Sequence, residues 1–390
     1  MRSVERSNMQ CYTPMIRIYQ EADRETKEFY KKKGLTLEQH VIPREEVQKR
    51  LHADENYFTG IKRLNKENAE KGILWRYQLI PCRHCFACSL NYSAEWGTRI
   101  MCECKQYEHN YFVTLTYSEK NLPIEEKLTM GEWEFENDGT WTGTLVPDHV
   151  AGFIKRLQRY LAYNKNHTGL KYYLCGEYGE ENGRPHYHLI LINCPLDTKQ
   201  FYQFKVDENY KPHWRSKEIE RLWSVRTDGK KITRNTKPEL LEQIGIVDVA
   251  EVEWNSAAYV ARYCAKKWNK QADALEYYSM GKRPEFVRMS DNIGLDYYNA
   301  HKHEIYKTDA MITKTMKGVA TIKPPKAWDK RLEKELPELF DKIKEHRKYC
   351  MERSEEVLRT RTDMTDKQML EMSAEKTITK SKLLPRTGEF

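Results

Sequence analysis

The run Arg184-Pro185-His186-Tyr187-His188-Leu189-Ile190-Leu191-Ile192 constrains this chain more than any other stretch. Leu189 to Ile192 is short, continuously apolar and includes two β-branched residues, so it reads as a strand. Side chains alternate along a strand, so His186 and His188 leave the same face, about 6–7 Å apart at the backbone. Two imidazoles so placed can close on one divalent ion. Upstream, Lys171-Tyr172-Tyr173-Leu174-Cys175-Gly176-Glu177 reads as the preceding strand. Gly179, Asn182 and Gly183 supply turn chemistry between the two, which predicts a hairpin. Glu177 ends the first strand and can reach a metal from beside the histidines. Two histidines and one carboxylate leave coordination positions for a substrate. Taken alone, a His-x-His pair is more simply a half-buried histidine beside a hydrogen-bonded one.

A second stretch changes that balance. Ala257-Ala258-Tyr259-Val260-Ala261-Arg262-Tyr263-Cys264-Ala265-Lys266-Lys267 has no Gly or Pro, and its alanines favour helix. Tyr259 and Tyr263 are four apart and share a helix face. Lys266 and Lys267 follow one turn later. A phenol is a poor nucleophile at its free pKa, and cationic neighbours or a metal favour the phenolate. The plainer reading of the two tyrosines is one nucleophile and one packing residue.

Phe112-Val113-Thr114-Leu115-Thr116-Tyr117, the His-hydrophobic-His strand and the Tyr-x-x-x-Tyr-x-x-Lys helix resemble, in that order, the three motifs of HUH endonucleases, the rolling-circle replication initiators. The likeness is greatest to initiators of single-stranded DNA phages of the Microviridae, especially gokushoviruses. Two further stretches carry it: Pro81-Cys82-Arg83-His84-Cys85-Phe86-Ala87-Cys88 and Gly176-Glu177-Tyr178-Gly179. The resemblance implies an α+β fold, the HUH version of a ferredoxin-like antiparallel sheet. It implies Mg²⁺ or Mn²⁺ on His186, His188 and Glu177, with Tyr259 and Tyr263 as nucleophiles and Lys266 as proton donor or pKa tuner. Arg262, Lys267 and Arg184 are expected at DNA. The implied activity is nicking of single-stranded DNA at a phage origin through a 5′-phosphotyrosine, with rejoining during rolling-circle replication. The host bacterial cytoplasm is the expected location, and no Gly-x-x-x-x-Gly-Lys-[Ser/Thr] loop is present, so a host helicase and polymerase are the expected partners. Arg262 stands where relatives often carry Lys after the first tyrosine; it stays charged and donates no proton readily.

Composition fits this reading without demanding it. The chain has 390 residues, a net charge of +8, and 25 tyrosines and 9 tryptophans among its basic residues. Cationic side chains attract phosphates, and aromatic rings stack on unpaired bases. No apolar run approaches a membrane span, and the first residues lack an apolar signal core, so neither insertion nor secretion is expected. The 10 cysteines of so long a chain suit a reducing compartment rather than a disulfide framework. Cys82, Cys85 and Cys88 have the spacing of thiolates that share a structural Zn²⁺, with His84, Cys102 or Cys104 as a fourth ligand. Their plain alternative is packing as small hydrophobes. Arg83, where relatives have Gly, argues against a tight knuckle.

The expected organisation is a charged segment over 1–72, an endonuclease domain over 73–300, and a charged helical segment with a disordered tail over 301–390. From Leu90 the expected order is helix, strand, helix, strand, strand, strand, helix, with the helices on one side of the sheet. Residues 118–147 read as a hairpin or long loop. Pro147 opens a helix whose Val150, Phe153, Ile154, Leu157, Tyr160 and Leu161 form a core stripe. Lys155, Arg156 and Arg159 lie on its outer side, and Lys230, Lys231, Arg234 and Lys237 make a basic loop. Two other activities fit parts of the pattern: a conjugative relaxase or transposase with the same site, and a non-catalytic zinc-knuckle DNA-binding protein.

Overall fold

A computed structural model describes residues 11–22, 24–53, 73–83, 85–179, 182–207, 210–230, 232–233, 235–253, 256–257, 259–261, 272–315 and 318–382. The chain divides into two compact units, a larger one over Tyr92–Pro337 and a smaller one joining the chain up to Asn91 with residues from Glu338 onward.

The smaller unit begins with β1 (Met15–Ala22), α1 (Arg24–Lys32), β2 (Gln39–Ile42), α2 (Arg44–Ala53) and β3 (Ile73–Ile80). The strands pair antiparallel in the order β2-β1-β3, with Met15 opposite Ile80 and Ile16 opposite Ile42. Its core is thin: Ile16, Ile42 and Val47 are buried, with Ile18 and Leu370 packed on them. The expected helix at Arg44 is present; the strands at Met15 and Gln39 carry too few apolar residues to announce themselves.

After a cysteine turn, α3 (Phe86–Cys104) starts earlier than Leu90, because the Cys85 carbonyl already accepts from the Ser89 N–H at 3.1 Å. Its end is set by Asn110, whose amide donates to the carbonyls of Cys104 and Tyr107 at 3.0 and 2.6 Å. Then come β4 (Asn110–Leu115) and a hairpin of β5 (Lys127–Met130) and β6 (Trp133–Glu136), which turns at Gly131 with φ 63°. α4 spans Pro147–Lys165 with Pro at its start. It buries Val150, Phe153, Ile154, Leu157 and Leu161, and Val146 at its N-cap makes no side-chain cap. Each buried side chain is worth about 1.5–3 kcal/mol and a cap about 1 kcal/mol, so packing holds this helix.

The hairpin strands β7 (Lys171–Tyr178) and β8 (Pro185–Ile192) lie where the sequence put them. They are followed by β9 (Phe201–Val206), β10 (Pro212–Ser216), α5 (Lys217–Leu222), β11 (Ser224–Arg226), β12 (Leu241–Gln243) and β13 (Val247–Glu251). α6 (Ala272–Ser279), β14 (Phe286–Met289), α7 (Leu295–Thr308), β15 (Met311–Thr315), β16 (Gly318–Ile322) and α8 (Lys326–Glu335) complete the larger unit. Seven strands form one antiparallel sheet in the order β14-β7-β8-β4-β13-β10-β9. The fold is α+β, as expected.

Helices cover both faces of this sheet, not one. Tyr187, Leu189 and Leu191 meet α4 in one core. Ile190 and Ile192 meet Ile100 and Cys104 of α3, together with Ala257 and Val260, in another. A continuous apolar strand needs cover on both sides. Trp223, noted among the basic residues, is fully buried and donates its indole N–H to the Thr116 carbonyl at 2.8 Å.

α9 (Pro337–Arg361) and α10 (Asp366–Lys382) follow. Pro337 separates α8 from α9 rather than kinking one helix. Residues 376–382, expected to be disordered, continue α10; buried Thr377 donates to the Ser373 carbonyl at 2.8 Å.

Candidate metal and tyrosine site

The antiparallel register builds the site. It sets Glu177 opposite His186 and Cys175 opposite His188 across β7 and β8. On the other side of β8, Thr114 of β4 lies opposite His188. Alternation then brings Glu177, His186, His188 and Thr114 to one sheet face. Gly176 precedes the carboxylate because β14 crosses there: a Cβ on it would stand 2.7 Å from the Phe286 ring.

Glu177 Oε1 lies 2.8 Å from His186 Nε2 and 2.9 Å from His188 Nε2. The rings meet edge to face at 4.9 Å and 84°. Each imidazole is fixed through its other nitrogen. His186 Nδ1 faces the Arg184 carbonyl at 3.1 Å, and a carbonyl only accepts, so Nδ1 carries a proton. His188 Nδ1 faces the Thr114 hydroxyl at 2.9 Å. Phe112 stacks on the His188 ring at 5.4 Å and 13°.

Two buried acceptors are left over. Among the described residues, Glu177 Oε2 and His188 Nε2 have no hydrogen-bond partner. The 2.9 Å approach of His188 to the carboxylate lacks the alignment of a hydrogen bond. Burial alone would raise the Glu177 carboxyl, but hydrogen bonds and charge from His186 and His188 outweigh it and hold the group well below the usual carboxylate range. Burial lowers His188, so its imidazole is neutral near pH 7. Burial also opposes protonation of His186, yet the Glu177 hydrogen bond and charge prevail and raise it. An anionic carboxylate, a neutral imidazole and a proton on His186 therefore converge where a divalent ion fits. The three donors lie within 4.8 Å of one another. His186 is the most open of the three, with its side chain 18% exposed.

Residues 256–257 and 259–261 are helical. The Ser256 hydroxyl accepts from the Glu253 N–H and donates to the Glu253 carbonyl, both at 2.9 Å, which fixes the start of this turn. Tyr259 is 2% exposed, and its hydroxyl donates to Glu177 Oε1 at 2.9 Å. Its ring stands edge-on to His188 at 5.4 Å. The structure thus brings Tyr259 to the same carboxylate oxygen that faces both histidines. Arg262, Tyr263, Lys266 and Lys267 lie outside the described residues.

The other expected contacts divide. Arg184 is engaged by Glu119 at 2.5 Å and the Tyr117 carbonyl at 3.1 Å. Arg156 points into the fold and donates to the Leu222 carbonyl at 3.0 Å, whereas Lys155 and Arg159 are exposed. Lys230 and Lys237 are exposed; Lys231 and Arg234 lie outside the described residues. Tyr187 packs in the opposite core, as alternation requires, with its hydroxyl 2.8 Å from that of Tyr117. Thr114, read from the sequence as structural, holds a site histidine; only the strand register could have revealed that.

A second donor cluster joins Cys82, Cys85 and Cys88 to Cys11, with all four sulfurs within 4.8 Å of one another. Cys102 and Cys104 are not the fourth member: both belong to α3, and Cys102 stands about 20 Å along its axis from Cys88. Burial pushes both their thiols up to about 12. His84 lies outside the described residues. Cys11 was missed because it sits far upstream; its only sequence signal is a cysteine just before β1. Arg83 adopts φ 65°, so the knuckle forms without glycine.

The family described as replication-associated protein ORF2 matches residues 110–268, from β4 through the tyrosine stretch. The chain is 34% identical over 307 residues to replication-associated protein ORF2 of Spiroplasma virus 4, covering 75% of this chain and 83% of that protein. It is 29% identical over 233 residues to replication-associated protein ORF4 of Chlamydia phage 1, covering 60% of this chain and 49% of that one. It is 30% identical over 191 residues to replication-associated protein VP4 of Bdellovibrio phage phiMH2K, covering 48% of each. No solved structure matches the chain.

Proposed function

The chain belongs to the family of replication-associated protein ORF2, and we propose that it initiates phage DNA replication by nicking single-stranded DNA at the origin through a tyrosine. One observation carries the reading: Glu177 Oε1 faces two histidine Nε2 atoms at 2.8 and 2.9 Å and accepts the Tyr259 hydroxyl at 2.9 Å. A metal-binding triad and a phenol thus share one oxygen.

Mg²⁺ or Mn²⁺ bound by Glu177, His186 and His188 would polarise the scissile phosphate. Thr114 and the Arg184 carbonyl hold the two imidazoles in the tautomer that directs Nε2 inward. Glu177 holds the Tyr259 oxygen beside the ligand set. The phenolic oxygen attacks phosphorus, the P–O3′ bond breaks, and a 5′-phosphotyrosine and a 3′-OH result. The linkage retains the energy of the phosphodiester, so rejoining needs no ATP. Tyr263 acts as the second nucleophile when the regenerated origin is cut, with Lys266 as proton donor or pKa tuner and Arg262 and Lys267 on phosphate. The 3′-OH primes a host polymerase in the bacterial cytoplasm, and a host helicase unwinds the duplex. No described helix is long and apolar enough to cross a membrane.

The test is a denaturing gel of purified protein, Mn²⁺ and end-labelled oligonucleotides tiled across the phage origin. A metal-dependent covalent adduct on the 5′ end of the downstream fragment is expected. Adducts that survive Tyr259→Phe and Tyr263→Phe singly, but not together, identify two nucleophiles. Binding without an adduct at any tile, in either metal, overturns the nickase reading.

A further inference from the structure

The cysteine cluster takes no part in that chemistry, yet it is built like a ligand set. Cys11 Sγ and Cys85 Sγ are 3.7 Å apart, and Cys82 Sγ and Cys88 Sγ are 4.0 Å apart. A disulfide needs about 2.05 Å. Four thiolates around one tetrahedral zinc, each about 2.3 Å from it, stand about 3.8 Å from each other. The observed spacings are those of a zinc tetrahedron.

Donors are aimed at the sulfurs. The Cys82 N–H donates to Cys11 Sγ at 3.4 Å, and the Cys85 N–H donates to Cys82 Sγ at 3.2 Å. The Thr13 hydroxyl lies 3.1 Å from Cys82 Sγ. Such donors stabilise negative sulfur and orient it. Thiols packed merely as small hydrophobes would need none of them. Arg83, between the first two clustered cysteines, is held at φ 65° although it has a Cβ. A strained non-glycine residue persists where its surroundings over-determine it, and closure of the Cys82–Cys85 knuckle is that constraint.

We propose that Cys11, Cys82, Cys85 and Cys88 bind one structural zinc ion, with Cys11 as the fourth ligand. Four protein thiolates fill the tetrahedron and leave no position for substrate, so the ion holds the fold rather than catalyses. Its place explains what it holds. Cys11 lies just before β1 and Cys82 just after β3, and these strands pair from Met15 opposite Ile80. The ion clasps that end of the ladder. The smaller unit, with only Ile16, Ile42 and Val47 buried in its sheet core, has little else to close it.

The test uses the full chain carrying Glu177→Ala, His186→Ala and His188→Ala, which removes the other candidate ligands. One zinc per chain is expected to remain after gel filtration. Replacement by Co²⁺ should give the intense near-ultraviolet thiolate-to-cobalt charge-transfer band of four sulfur ligands. Cys11→Ser should weaken zinc retention at least tenfold. Because that variant can misfold, the unmodified protein supplies an independent measurement. Alkylation mapped by mass spectrometry should find Cys11, Cys82, Cys85 and Cys88 protected until a chelator is added. Exposed Cys350 should react at once, and Cys102, Cys104, Cys175 and Cys194 should be indifferent to the chelator. Absence of zinc from the triple variant, iron in its place, or four cysteines whose alkylation ignores the chelator each overturns the proposal. None of these readouts depends on DNA cleavage, so the nickase reading stands or falls separately.

Discussion

The two donor clusters are held in opposite ways. Glu177, His186 and His188 are carried by paired strands buried on both faces, with a packed core beneath each. Cys11, Cys82, Cys85 and Cys88 sit on the segments flanking two strands of a thin sheet. The first site is therefore preformed by its scaffold, and metal there serves chemistry. In the second, metal serves the scaffold. Hard oxygen with imidazole against four soft thiolates follows the same division: one set leaves positions for substrate and the other closes them.

The largest effect that can break this contrast is at the phenols. Tyr259→Phe combined with Tyr263→Phe should lower covalent adduct formation by about 10⁴-fold or more, read on a denaturing gel, while zinc content and fold stay unchanged. Residual adduct in the double variant would move the chemistry elsewhere. Next comes the cross-comparison of ligands. Cys82→Ser should unfold the smaller unit, since structural zinc contributes about 10–16 kcal/mol. Glu177→Ala should lose Mn²⁺ binding yet keep the sheet. Hydrogen exchange separates them: amides of β1 and β3 should lose protection only in the first variant, and those of β7 and β8 in neither.

Thr114→Val tests preorganisation at the sheet-borne site. Removing the hydroxyl that orients His188 should cost about 10–100-fold in Mn²⁺ affinity with little change in melting temperature; calorimetry measures both. Gly176→Ala should act on packing instead. Its Cβ would press on Phe286, and overpacking of this kind costs about 1–3 kcal/mol, read by urea denaturation.

The smallest effect separates a histidine with a carboxylate from one without. His149, on the opposite face, meets the Tyr117 hydroxyl at 2.9 Å, and burial, aided by the charge of Arg156, holds its pKa below the ordinary 6.5. The unfolded chain then takes up the proton first. This group's stability contribution is complete above pH 6.5, declines as pH falls through it, and levels off below the folded pKa. Denaturation midpoints between pH 7 and 5 should therefore fall less steeply for His149→Gln than for the unmodified protein. An unchanged slope would show that His149 does not titrate on unfolding.

Much of this was legible in the chain itself. Periodicity alone fixed β7, β8 and α4, because an apolar run or stripe buried in the core has one compatible period. Alternation put His186 and His188 on one face and Tyr187 on the other. Three features were not legible. The strand pair of β1 and β2 is only weakly patterned. Helices cover both faces of the large sheet, although Leu189 to Ile192, apolar without alternation, carried the hint. The hydroxyl of Thr114 is indistinguishable in sequence from that of Thr116, which bonds backbone at Ile246 instead.

The sequence by itself determined the local chemistry: which strand carries two imidazoles, which turn carries three thiols, and which stretch presents a phenol. Only the tertiary structure decided how those pieces meet. Strand register placed Glu177 against His186 and Thr114 against His188, chain folding carried Tyr259 to the same carboxylate, and the pairing of β1 with β3 delivered Cys11 to the cysteine turn. Short-range side-chain spacing is written by backbone periodicity, but contacts between distant segments depend on which buried faces find one another, and no local pattern encodes that choice.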